Sequence, residues 1–386
     1  MAEVRIFAGE SVTEGNPHKV ADLLADSVLD AILTKDRFAR VSCKVLVSTG
    51  LVIVAGEVTT DAWVDIGTIV RQKLADIGYD LPGLGFEASS CAVMNLLREQ
   101  SEEIGLAVDR RGAGDQCTVV GYASDEGRGL AGEYHLMPVP VILAHRLARQ
   151  LTVARTSGRL AWLRPDGKIG VCVRYDQAKP IAIHATVVSA QHEPGVAQDE
   201  VQVRLRTEVV DPILGDTGLL QKDTIVAINP AGPFTVGGPH ADAGFTGLKV
   251  SVDAYGTVAR QMDACLSGKD PTKPGRSGSY MARYVAKNLV AAGLAERCEI
   301  RLSYVIGQEQ PVSVEVDTFG TGDGPDDRLS GLVREAFDLS IPGIVEGFIL
   351  RRPLYAPLAC FGHFGRDDLD LPWEAVDAAE RLSAKA

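Results

Sequence analysis

Residues 41–60 read VSCKVLVSTGLVIVAGEVTT: apolar and polar residues alternate, the pattern breaks at Thr49-Gly50, and then it resumes. Side chains on a strand point alternately to two faces, so this stretch predicts a β-hairpin. A helix is expected next, over 62–77, where Trp63, Ile66, Ile69, Val70, Leu74 and Ile77 recur at three- and four-residue spacing. The same order returns twice. Strand-like segments at about 169–175 and 181–190 precede a helical stretch at about 198–213, and a third pair at 299–306 and 311–318, turned at 307–310, precedes the helical DRLSGLVREAFDL. Hairpin then helix is common enough to recur by chance. The even spacing of starts near 41, 169 and 299 favours three copies of one unit, hence an α+β fold of three structurally related sheet-plus-helix domains in a pseudo-threefold arrangement. Stretches rich in Pro, Gly and charge at 101–116 and 229–240 divide the chain into an N-terminal domain (1–101), a central domain (110–231) and a C-terminal domain (233–372).

Composition fits this division. A chain of 386 residues, 46% hydrophobic, is long enough for two or three cores. No apolar run reaches the roughly 18 residues of a membrane span, and Met-Ala-Glu-Val-Arg lacks the features of a signal peptide, so the expectation is a cytoplasmic protein without membrane contact. Seven cysteines at 43, 91, 117, 172, 265, 298 and 360 form no CxxC pair, which argues against a disulfide framework or a zinc site. A net charge of −12 disfavours nucleic-acid binding, so any phosphate must sit in a local basic pocket.

Two stretches offer such a pocket. In SVTEGNPHK at 11–19, Ser11 to Glu14 fits a capping box, Asn16 an N-cap and Pro17 the first turn of a helix over 17–34. Asn16 needs no further role as a cap, and His18 would by default be a surface histidine; the alternative is an anion site built with Lys19. In SGKDPTKPGRS at 267–277, Lys269, Lys273 and Arg276 stand in Gly- and Pro-rich turns before a helix over 279–292, which favours an anion-binding loop over a solvated face. GAGDQC at 112–117 is a weak glycine signal on its own, and NPAGPFTVGGPHADAGFTGLK at 229–249 allows close approach of backbone to a ligand.

Taken in order, ESVTEGNPHKVAD, VSTGLVIVAGEVTTDAWVDI, GAGDQ, GYASDE, WLRPDGK, INPAGPF, VGGPHADAGFTG, SGKDPTK and GHFGR resemble the S-adenosylmethionine synthetase (methionine adenosyltransferase) family over nearly the whole chain. The resemblance implies three related α+β domains and a homodimer, or a tetramer of paired dimers, with active sites between subunits. It implies joining of ATP and methionine: sulfur attacks C5′ of the ribose, and the departing tripolyphosphate is hydrolysed to phosphate and diphosphate. By resemblance, Glu57, Gln100 and Lys273 hold the methionine ammonium and carboxylate, with Asp115 nearby; Phe234 stacks on adenine; Asp166 and Asp242 reach the ribose or its neighbours; and 100–110 is a loop over the site. Lys19, Lys168, Lys249 and Lys269 keep the phosphate positions.

Other positions depart. Asn16 replaces the His that supports the transition state, and His18 and Gly275 replace two metal-binding Asp residues. Leu248 and Pro233 replace arginines, and MDACL at 262–266 replaces a glycine-rich run, so that Asp263 is a candidate relocated metal ligand. An insertion lies at 128–135. Mg²⁺ prefers hard oxygen ligands, which leaves it an open expectation at best. Lys44 stands where the family has a Glu that binds a monovalent cation, so its ammonium is expected to replace K⁺. Three functions follow: S-adenosylmethionine synthesis with a diverged triphosphate and Mg²⁺ step; action on or cleavage of S-adenosylmethionine or another preformed sulfonium; or a non-catalytic subunit binding methionine or adenosine.

Overall fold

The computed structural model describes residues 4–100, 112–261 and 265–385, so all of the expected loop over 100–110 except Gln100, and Asp263, lie outside the described residues. The hairpin read at 41–60 is β2 (Arg40–Ser48) and β3 (Leu51–Thr59), antiparallel from Arg40↔Thr59 to Ser48↔Leu51. The other two are β6 (Leu163–Asp176) with β7 (Lys179–His192), and β10 (Arg297–Tyr304) with β11 (Ser313–Asp317). β6 and β7 run longer than the alternation suggested, because register shifts between Leu163 and Gly167, between Cys172 and Val173 and between Arg174 and Tyr175 break the period of two without ending the pairing.

Each hairpin takes a strand from elsewhere in the chain. β1 (Val4–Val12) pairs with β6, β5 (Cys117–Ser124) with β10, and the two-residue β9 (Gly244–Phe245) with β2. Each of the three segments thus lends its first strand to another segment's sheet, in a closed cycle. β4 (Ala92–Glu99) and β8 (Ile225–Ile228) add parallel edges to β3 and β7, giving the orders β4-β3-β2-β9, β1-β6-β7-β8 and β11-β10-β5.

The helices of eight or more described residues are α1 (Pro17–Lys35), α2 (Ile66–Ile77), α3 (Val139–Thr156), α4 (Gln198–Leu205), α5 (Pro274–Ala291) and α6 (Asp326–Ala336). α1 lies on the face of β2 that carries Val41, Cys43, Val45 and Val47, and buries Val20, Leu24, Val28, Leu29 and Ile32. Each such large side chain contributes about 1.5–3 kcal/mol on burial. α2 starts four residues later than expected: Asp65 caps it through Thr68 N at 3.1 Å, and Trp63 stays 76% exposed before it. α4 continues through a π-helical turn at 206–210. α5 begins at Pro274 and not at 279, which places Gly275 and Arg276 inside a buried helix. The insertion at 128–135 forms turns beside a cavity of about 280 Å³, with Arg146 stacked on Tyr134. No described helix is long and apolar enough to cross a membrane.

Candidate functional site

The turn between β1 and α1 is pinned to β6. Thr13 N–H donates to Gly167 O (3.0 Å) and its hydroxyl to Pro165 O (2.6 Å), while Tyr79 donates to Gly15 O (2.6 Å). Ser11 and Glu14 do not make the expected capping box. The Ser11 hydroxyl meets His145 Nδ1 at 2.9 Å, and Glu14 accepts from Thr152 and Arg155, because both residues face α3. Asn16 alone caps α1, its Oδ1 accepting from His18 N at 3.2 Å, and its side chain also bonds to Asp166.

Asp166 is buried near the start of β6. Burial raises its pKa to about 6 against hydrogen bonds from Gly238 N and Asn16. Gly238 approaches at φ +63, where an added Cβ would lie 2.0 Å from the Tyr79 hydroxyl, so only glycine fits. Phe234 is fixed on the neighbouring strand end: its N–H donates to His192 Nε2 (3.2 Å) and its carbonyl accepts from His192 N (2.9 Å). Gln191, next to His192, links Asp166 N to Thr235 O. Asp166 and the half-buried Phe234 thus share one corner.

The next group lies where β9 meets α1. Gly244 packs so tightly on Pro17 O that a Cβ would stand 2.0 Å away, and Phe245 N–H donates to His18 Nδ1 at 3.2 Å. Burial first, then Lys249, lowers the His18 pKa, so its imidazole is neutral at pH 7. Asp242 and Lys249 face the same ring, and Asp242 uses one oxygen on Ala243 N. Lys249 is lowered by burial and by Lys168, which itself pairs with Glu10 at 3.0 Å.

Lys19 does not join this open group. Its ammonium is buried between Asp22, at 2.9 Å, and Asp253. Burial works against the charge, but the two carboxylates outweigh it and hold the pKa above the usual lysine value. The sequence reading missed these partners, although Asp22, Asp26 and Asp30 recur every four residues along α1, which puts three acids on one stripe of an apolar helix.

The 267–277 segment is likewise neutralised. Arg276 is fully buried against Asp26 (2.6 Å) and Lys273 against Asp270. An open anion-binding loop is therefore not what these cations form; only Lys269 of the three stays partly exposed, 3.5 Å from Asp115. Lys269 bridges Ser42 in β2, and Ser42, Glu57 and Arg98 form one row across β2, β3 and β4, with Glu57 and Arg98 3.5 Å apart. The next row on this face is Lys44, Ala55 and Leu96, and the next Leu46, Ile53 and Met94. Lys44 Nζ lies 3.1 Å from Cys265 Sγ. Gln100, after β4, has an Oε1 with no hydrogen-bond partner among the described residues.

The candidate residues thus fall into two clusters. Asn16, His18, Asp166, Lys168, Phe234, Asp242 and Lys249 stand around the α1 entry; Lys44, Glu57, Gln100, Asp115 and Lys269 stand on or beside the β2-β3-β4 face. Among the described residues, no hydrogen bond or ion pair between these side chains joins the two clusters.

Three family models match the chain in sequence order: S-adenosylmethionine synthetase, N-terminal domain, over residues 4–102; its central domain over 110–234; and its C-terminal domain over 236–375. A curated relative, the S-adenosylmethionine synthase of Desulforudis audaxviator (strain MP104C), is 50% identical over 98% of both chains.

Proposed function

Because the chain belongs to the S-adenosylmethionine synthetase family, we propose that it transfers the adenosyl group of ATP to the sulfur of methionine. One observation carries the reading: Phe234 and Asp166, the proposed adenine and ribose contacts, sit in one corner built by His192, Gln191 and Gly238. The methionine sulfur attacks C5′ in line, the C–S bond forms as the C5′–O bond breaks, and the electron pair leaves with the polyphosphate. Glu57, Gln100 and Asp115 would orient the amino acid, and Lys168, Lys249 and Lys269 would offset the growing negative charge. The separation of the two clusters, and the exposed Met94 and Leu96 beside the methionine residues, support a homodimer with sites shared between two copies.

Mg²⁺ does not fit the positions where the family binds it. His18 gives its Nδ1 to Phe245 N–H and Gly275 has no side chain; the nearby Asp22 offers no replacement, because one oxygen is committed to Lys19 and the other to Gly247 N. Among the described residues, no three His, Cys, Asp or Glu side chains gather to hold a metal. Lys44 supports independence from K⁺.

The test is to mix the protein with ATP and methionine in EDTA, with and without K⁺, and to assay S-adenosylmethionine. Synthesis that ignores both ions is expected; no product under any ion condition, Mg²⁺ included, sinks the reading. A second reading is favoured by the same metal misfit: a reaction on a preformed sulfonium, which carries no triphosphate to neutralise. Consumption of S-adenosylmethionine alone, without synthesis, would select it. Binding of either ligand without turnover would select a non-catalytic role.

A further inference from the structure

We propose that His18 is a catalytic hydrogen-bond donor to the departing polyphosphate, taking over by its Nε2–H the place where the family uses a metal-binding carboxylate; this rests on the adenosyl-transfer reading above. The tautomer follows from one contact. Phe245 N–H can only donate, and it points at His18 Nδ1 from 3.2 Å, so Nδ1 must carry the lone pair and Nε2 the proton. Phe245 is held in turn by pairing with Leu46 in β2, and Gly244 allows β9 to lie against Pro17. The ring is therefore fixed by two elements that do not move with the side chain.

Nε2 has no hydrogen-bond partner among the described residues, and it is not sealed from solvent. The charged groups acting on the ring are Lys249, Asp242, Asp22 and Lys19. Two of these are already neutralised against each other: Lys19 and Asp22 form a buried pair. Lys249 and Asp242 remain, one a cation for phosphate and the other a carboxylate beside the ribose end by resemblance. A neutral imidazole between them can donate without exchanging a proton, as an electrophile does when its ring is kept uncharged. No covalent or proton-transfer step is assigned to it. Asn16 accepts from the His18 backbone N–H and bonds through its side chain to Asp166, so the His18 backbone is fixed on one side by the cap and its ring on the other by Phe245 N–H.

The experiment measures binding of inorganic tripolyphosphate by calorimetry in EDTA, for the full chain and for His18→Ala, His18→Gln and His18→Asp, each checked for folding by thermal melting. A hydrogen bond to a charged group predicts that His18→Ala weakens binding about 10- to 100-fold. His18→Gln, which can place an amide N–H near the Nε2 position, should stay within a few-fold of the parent, and His18→Asp should bind more weakly than His18→Ala. Nitrogen NMR of the labelled histidine should show a protonated Nε2 and a bare Nδ1, with the Nε2 signal moving on tripolyphosphate addition. Unchanged binding by His18→Ala, tighter metal-free binding by His18→Asp, or the opposite tautomer overturns the proposal. If binding depends on His18 as expected but ATP and methionine give no product, the adenosyl-transfer reading fails while the anion contact stands.

Discussion

Glu374 and Asp26 are both carboxylates sunk beside an arginine, yet the fold treats them in opposite ways. Glu374 takes Arg283 and Gly365 N on one oxygen and Arg283 and Lys287 on the other. Burial alone would raise its pKa, but the two cations outweigh it and bring it down to about 2. Asp26 takes Gly268 N and Arg276 on Oδ1, while its Oδ2 has no partner among the described residues, and burial pushes it up to about 6. Around Glu374 two cations serve one acid, which is a device for holding α5 to the C-terminal segment. At α1, Asp22 and Asp26, together with Asp253 packed against the helix, share Lys19 and Arg276, and Asp22 also acts on the His18 ring. A carboxylate with both oxygens partnered marks the scaffold, and one with an oxygen left over marks the network at α1.

The largest break in this comparison is expected from Asp26→Ala. It strands a guanidinium that is fully buried, and removing one partner of a buried pair costs about 3–5 kcal/mol. Chemical denaturation should show the loss as a lower midpoint. Replacing both partners, Asp26→Leu with Arg276→Met, should recover much of it, because no uncompensated charge remains. A single substitution that costs under about 1 kcal/mol would mean that the pair is not as dry as its burial indicates.

Glu374→Gln should cost about 3 kcal/mol at pH 7, the value of lowering a carboxylate from its ordinary 4.5 to about 2. The sign fixes the window: the folded-state pKa is depressed, so the contribution is present above pH 4.5 and fades as pH falls through 2. Asp26 runs the other way, because its raised pKa favours the protonated form in the folded state, and its contribution declines as pH rises from 3.8 through about 6. Unfolding measured from pH 2 to 7 should therefore show a steeper acid limb in the parent than in Glu374→Gln. Parallel curves would remove the distinction between the two networks.

How much of this was legible in the sequence differs by feature. The hairpin at 41–60 could be read because one face of β2 is buried and the other is not, and alternate burial writes itself into alternate polarity. The exchange of β1, β5 and β9 between sheets could not, since pairing between Val4 and Asp176 leaves no local pattern. Trp63 was misplaced because its spacing continues the apolar stripe of α2, while the capping Asp65 starts the helix only after it. The cations Lys19, Lys273 and Arg276 were found by motif, but whether a cation is free or paired depends on acids such as Asp253 that approach only in the fold. Asn16 was the best-read residue of the site, since an N-cap is decided locally.

That residue carries the smallest expected effect. Asn16→Ala removes the side-chain acceptor for His18 N, which typically costs about 1 kcal/mol, well below the loss from either buried network. It also removes the bond that helps keep Asp166 ionised, so the pKa of that carboxyl, already about 6, should move further up. Asn16→Asp separates the two roles. It keeps a capping oxygen at α1, and so should retain helix stability near pH 7, but it sets a second carboxylate against Asp166 and should raise that group's pKa more than Asn16→Ala does. Following Asp166 by carboxyl-labelled NMR through titration, alongside urea unfolding, reads both quantities on the same samples. If Asn16→Asp leaves the Asp166 titration where it was, the edge from Asp166 to His18 is not electrostatically connected, and the contrast between a sealed scaffold network and a tunable site network must be drawn at α1 alone.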